Sequence, residues 1–92
     1  MHNLIEFDAW KRRQTLLHRG LDFQQASEVF AGLHLTWGDE RQDYGEPRFI
    51  TVGWLQSKVV VVVWTWRGPR RRIISMRRAN EREIQRFEKD LD

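Results

Sequence analysis

The chain has 92 residues, no cysteine, a formal charge of +3 and a mean hydropathy of −0.68. That length fits a single domain over residues 1–92, near the small end of what folds without staples, and the lack of cysteine excludes disulfides and thiolate metal sites. The longest apolar run, residues 59–64, falls far short of the ~20 residues of a spanning helix.

At the N-terminus no basic start precedes an apolar run, so a soluble, cytoplasmic protein without a membrane partner is expected. Residues 4–7 read as a short edge strand. Asp8 is a good N-cap, and Trp10, Gln14 and Leu17, with Leu16 beside them, predict a helix over residues 9–19. Its stripe should pack inward and leave Lys11, Arg12 and Arg13 as a basic outer face, with Gly20 as the stop. Asp22 caps a second helix over 23–31, burying Phe23, Ala26, Val29 and Phe30, and Gly32 ends it. Alternating apolar residues make 33–37 a strand.

Residues 38–47 form a polar connection with four carboxylates, Asp39, Glu40, Asp43 and Glu46. The strand at 48–54 sets Ile50, Val52 and Trp54 on one face, with Phe49 and Thr51 on the other. After a turn at 56–58, residues 59–67 are apolar on both faces and should form a covered central strand. Gly68-Pro69 is a turn signal. The last strand, 71–78, should direct Ile74 and Met76 to one side and Ile73, Ser75 and Arg77 to the other. Asn80 caps a closing helix striped by Ile84, Phe87 and Leu91, with Glu83 placed for a capping box. The fold class is therefore α+β: two N-terminal helices, an antiparallel meander of about four strands beside the short first strand, and a C-terminal helix.

Between residues 47 and 78 lie eight basic residues, Arg48, Lys58, Arg67, Arg70, Arg71, Arg72, Arg77 and Arg78, and no Asp or Glu. Thirteen of the 16 basic residues of the chain are Arg, whose planar fork grips phosphate and stacks on bases. A sheet so apolar in the middle and cationic at its ends suits a polyanion such as RNA. His2, His18 and His34 lack metal-ligand spacing and no Gly-rich phosphate loop is present, so neither cofactor nor metal is expected. RNA cleavage through the neighbouring 2′-hydroxyl needs a base, cations for the developing charge and an acid for the leaving oxygen. Arginine serves the charge and not the protons. His18, Lys11, Glu46 and Glu83 are the candidate proton carriers, in no order the residues decide. Each also has a structural reading: His18 against a helix dipole, Lys11 as a solvated helix residue, Glu83 as a cap, Arg77 in an ion pair, Trp64 and Trp66 as packing.

Taken together, the motifs resemble those of the BrnT ribonuclease toxins of bacterial type II toxin–antitoxin systems over nearly the whole chain. The matching residues are Asp8 and Lys11; Gly20, Phe23 and Ala26; Arg48, Phe49, Ile50 and Gly53; Thr65, Arg67 and Gly68; Glu83; and, most specific, the Arg-Ile-Ile-Ser-x-Arg segment of Arg72, Ile73, Ile74, Ser75 and Arg77. The resemblance implies a RelE-like microbial ribonuclease fold and translation-arresting RNA cleavage. It also implies neutralisation by a small BrnA-like antitoxin in a hetero-oligomer of two toxins with two antitoxins, DNA being reached only through the antitoxin. Under this reading Arg67, Arg72 and Arg77 stabilise phosphate charge, Lys11, His18 and Glu46 position or move protons, and Arg48, Arg70, Arg71 and Arg78 hold RNA. The chain departs from the family pattern at His18-Arg19-Gly20, where members usually have Lys-His-Gly, and at Phe87, where they often have Tyr. The alternative is a weakened or inactive toxin fold that binds antitoxin, RNA or both.

Overall fold

In the computed structural model, which describes residues 4–91, the valine run lies at the centre of a sheet, as its two-sided hydrophobicity demands. The first three of the N-terminal residues read for targeting, His2 among them, lie outside the described range. Along the chain come β1 (Ile5–Phe7), α1 (Ala9–Arg19), a 3-10 turn (Phe23–Gln25), α2 (Ala26–Ala31), β2 (His34–Gly38), β3 (Phe49–Leu55), β4 (Lys58–Arg67), β5 (Arg70–Arg78) and α3 (Glu81–Asp90). The spatial order of the five-stranded sheet is β1-β5-β4-β3-β2. β2 to β5 form the expected antiparallel meander, but β1 joins β5 in parallel, with Ile5 opposite Arg71 and Phe7 opposite Ile73. The sheet is therefore mixed: the short first strand returns to an edge that exists only after the rest of the chain has folded.

Side chains of β4 alternate between two cores. Val60, Val62 and Trp64 meet Phe23, Ala26, Val29 and Phe30 of the 3-10 turn and α2, together with Ile73 and Met76. Val59 and Val61 face Phe87 of α3, with Val52, Leu35, Ile50, Ile84 and Leu91 around them. A fully buried Phe or Val side chain stabilises by roughly 1.5–3 kcal/mol, so both layers are needed. The register of β4 on β5 shifts between Val63 and Trp64, pairing Val63 with Ser75 and Trp64 with Ile73. Ile74 is the extra residue of this bulge, so Ile73 and Met76 share one face instead of the opposite faces that strict alternation predicts.

The second helix is broken, against expectation. Asp22 accepts from Gln24 N at 3.0 Å and tightens the start into the 3-10 turn, leaving α2 only six residues. α2 sits so close to β3 that a Cβ on Gly53 would lie 2.8 Å from Val29 Cγ1 and 2.9 Å from His34 Cβ. A buried polar chain runs beneath it: Trp64 Nε1 donates to Thr51 Oγ1 at 2.8 Å, and Thr36 Oγ1 is 2.7 Å from the same oxygen.

α1 also departs from its sequence reading. Its caps are as expected, with Asp8 accepting from Lys11 N and Gly20 left-handed at φ 69°, but none of its residues is buried. Trp10 is 65% exposed and Leu17 72%; Leu16 is exposed too. The inward side is polar: Arg12 forms a bidentate pair with Asp22 at 2.7 and 3.0 Å, and Arg19 Nη1 donates to Met76 O of β5 at 3.0 Å. Those partners hold the helix with its apolar stripe outward. No helix among the described residues is long and apolar enough to cross a membrane.

Candidate active site

α3 begins with the capping box read from the sequence: Asn80 Oδ1 accepts from Glu83 N at 2.8 Å and Glu83 Oε1 accepts from Asn80 N at 2.9 Å. Phe87 anchors the helix over Val59 and Val61. At only ten residues, α3 covers part of its sheet face and leaves a groove of about 710 Å³ beside it. Leu35, Ile50, Val52, Val61 and Val63 form the apolar floor, and Trp37 of the edge strand β2 also lines the groove.

Four guanidinium groups reach this groove: Arg77 from β5, Arg82 and Arg86 from α3, and Arg41 from the connection between β2 and β3. Carboxylates aim two of them, Arg77 and Arg41. Arg77 Nη1 and Nη2 donate to Glu83 Oε1 and Oε2 at 2.8 and 2.7 Å. Arg41 Nε and Nη2 donate to Asp39, whose side chain is fully buried and which also accepts from Tyr44 Oη at 3.2 Å. Arg86 lies 3.4 Å from Asp90 one helical turn on. Among the described residues Arg82 has no carboxylate within salt-bridge reach. A bidentate pair occupies two of the five N–H donors of an arginine, so these forks are fixed in direction and still have donors to offer a phosphate.

The electrostatics follow from the pairing. Hydrogen bonds from Arg77 hold the Glu83 carboxyl at a pKa of about 2, and Arg41 does the same for Asp39, also to about 2. Glu83 in turn raises Arg77, and the nearby Arg41 charge opposes that rise, so the two cations feel one another across the groove. Glu83 is therefore ionised at neutral pH; it is able to accept a proton but holds none to donate.

Of the eleven candidate residues named from sequence, Arg77 and Glu83 line the groove and the other nine do not. Lys11 and His18 line a smaller cleft of about 260 Å³ between α1 and the β5 bulge, where His18 Nε2 lies 3.1 Å from Gln14 Oε1. Glu46 is clamped at the strand ends by Arg67 at 2.8 Å and Arg48 at 3.6 Å; the Arg67 hydrogen bond, the largest influence, depresses its pKa. Arg48 also lies over the Tyr44 ring at 4.0 Å. Arg72 pairs with Glu6 at 3.4 Å, while Arg70 and Arg78 are exposed on β5. Arg71 is on the opposite face, stacked over Phe30 at 4.3 Å and over Trp64 and Trp66 at 5.0 Å each, where burial lowers its pKa. Carboxylates from flanking segments thus neutralise much of the cationic sheet that looked acid-free in sequence.

Arg41, Arg82, Arg86 and Trp37 were not named from the sequence. Arg82 and Arg86 carry a legible signal, an i, i+4 pair flanking the Glu83 and Phe87 face of the closing helix. Arg41 had none, since a loop residue's direction is decided by the carboxylate it finds. The family model for the ribonuclease toxin BrnT of type II toxin–antitoxin systems matches residues 7–83.

The chain belongs to the BrnT family.

The match spans β2 to β5, α1, α2 and the first turn of α3, with only Phe7 of β1, so it includes Arg41, Arg77, Arg82 and Glu83. As a BrnT-family toxin the chain is a ribonuclease toxin of a system whose second component is an antitoxin. No curated protein matches the chain. Phe87, beyond the matched residues, places an apolar ring on the groove wall.

Proposed function

We propose that this BrnT-family chain is an endoribonuclease that cuts RNA without a metal ion in the groove between the sheet and α3. The carrying observation is the bidentate Arg77–Glu83 pair beside an apolar floor, with Arg41, Arg82 and Arg86 around it. The volume falls in the range of ligand clefts, about 300–1,000 Å³. The 2′-oxygen attacks the adjacent phosphorus and its proton passes to the Glu83 carboxylate; the bond to the 5′-oxygen breaks and that oxygen takes a proton from water in the open groove. The products are a 2′,3′-cyclic phosphate and a 5′-hydroxyl. Arg77 and Arg41 stabilise the charge that develops on the phosphoryl oxygens, and Arg82 and Arg86 hold the flanking backbone. The low pKa of Glu83 makes it a weak base, and fixed position offsets that weakness.

A RelE-like architecture is part of this reading, supported by two N-terminal helices on one sheet face and a C-terminal helix on the other. Cleavage of message in the cytoplasm then arrests translation. A small DNA-binding antitoxin of the BrnA kind, two copies with two toxins, holds the enzyme in check. Phe87 supports a second reading, a toxin fold that binds RNA and antitoxin and cuts poorly. End-labelled RNA incubated with the purified chain in EDTA should yield fragments with cyclic phosphate ends, and expression should arrest growth. Salt-dependent RNA binding without fragments favours the second reading; intact RNA together with harmless expression removes the enzyme.

A further inference from the structure

We infer that the outward face of α1 is a docking surface for an acidic amphipathic segment of the antitoxin. The inference rests on family membership and not on the catalytic reading of the groove. Trp10 and Leu17, at i and i+7, stand on the solvent side of α1 with Arg13 between them, and exposed Leu16 adjoins that side. Amphipathic helices of small proteins normally turn such residues inward. Here the inward residues are polar and satisfied, Arg12 by Asp22 and Arg19 by Met76 O, so the exposure is built into the fold.

Charge selects the occupant. α1 contains no acidic residue and carries Lys11, Arg12, Arg13 and Arg19. Of these only Arg12 has a carboxylate partner among the described residues. A second copy of the chain would bring this cationic face against itself, and like charges facing one another oppose association. An acidic partner segment with apolar residues at helical spacing would cover Trp10 and Leu17 and meet the flanking cations. The cleft between α1 and the Ile74 bulge, which Trp10 also lines, offers room for one partner side chain. The α3 groove lies elsewhere, so antitoxin grip and substrate binding use separate surfaces.

The test is calorimetric titration of the full chain with its own antitoxin, using substitutions at exposed positions that the fold tolerates. Trp10→Ala and Leu17→Glu should each weaken binding by roughly tenfold or more, the effect of removing a buried interface anchor. Leu17→Lys should weaken it less than Leu17→Glu, because the partner is acidic, and Leu33→Ser, at an exposed leucine away from α1, should not weaken it. RNA cleavage by the free variants is read separately: its loss in wild type would overturn the catalytic reading while leaving the docking result standing. Wild-type antitoxin affinity in both Trp10→Ala and Leu17→Glu overturns the inference. So does a wild-type dimer in sedimentation that Leu17→Glu dissociates, or wild-type binding to phosphatidylglycerol vesicles that Leu17→Glu abolishes.

Discussion

Replacing Glu83 with Gln separates the charge of the groove from its shape. The amide oxygen still accepts from Asn80 N, so the capping box survives, while the negative charge against Arg77 is removed. The pull of Arg77 takes the carboxyl from its ordinary 4.5 to about 2, which caps the pH-dependent contribution at roughly 3 kcal/mol. The Arg77 side chain is 44% exposed, and solvent screening brings the expected value to about 1–2 kcal/mol. Because the folded-state pKa is depressed, this stability is fully present above the unfolded pKa of 4.5 and is lost as pH falls toward about 2. Urea unfolding can follow it through Trp54, whose ring centroid is 6.0 Å from that of Phe87 on α3. The gap between wild type and Glu83→Gln should be about 1–2 kcal/mol at neutral pH and should narrow steadily below the ordinary carboxylate range. A gap equal at pH 7 and pH 3, or none at pH 7, refutes the pair as a structural element in solution. The same variant should lose cleavage by roughly a hundredfold or more if Glu83 takes the 2′-hydroxyl proton, with RNA binding retained.

Three further outcomes follow from the same geometry. Arg41→Ala leaves the fully buried Asp39 carboxylate without its cation and should cost about 2 kcal/mol in urea unfolding, less than for a wholly buried pair because Arg41 itself is 65% exposed; a loss within the error of the measurement would mean that water replaces the guanidinium. Arg82→Ala and Arg86→Ala should each flatten the dependence of log affinity for single-stranded RNA on log salt by about 0.7, and an unchanged slope removes that side chain from the phosphate path. Lys11→Ala and His18→Ala, in the cleft beside α1, should leave cleavage intact, and loss of activity in either would move the reaction to that cleft.

Much of the fold was legible because its signals act over one turn or one pair of residues. Asp8, Asn80 and Gly20 mark helix ends through the N–H and C=O groups that a terminus leaves free, and their caps are present as read. The alternation of β3 and the double-sided valines of β4 assign strands by the same local rule. The candidate site was less legible. Arg77, Arg72 and Arg67 had equal standing in sequence and each meets a carboxylate, Glu83, Glu6 and Glu46, but of the three only Arg77 lines the groove, because its position on β5 sets it on the α3 face.

By itself, then, the sequence determined the elements, their caps, the two-faced hydrophobic centre and the family pattern, all set by neighbours a few residues apart. Tertiary structure alone decided that β1 pairs in parallel, that a bulge at Ile74 returns Ile73 and Met76 to one core, and that Arg41, Arg77, Arg82 and Arg86 converge. It also turned α1 inside out. Periodicity identifies an apolar stripe but not the surface that covers it; Asp22 and the Met76 carbonyl claim the polar side of α1, so Trp10 and Leu17 face away from the core.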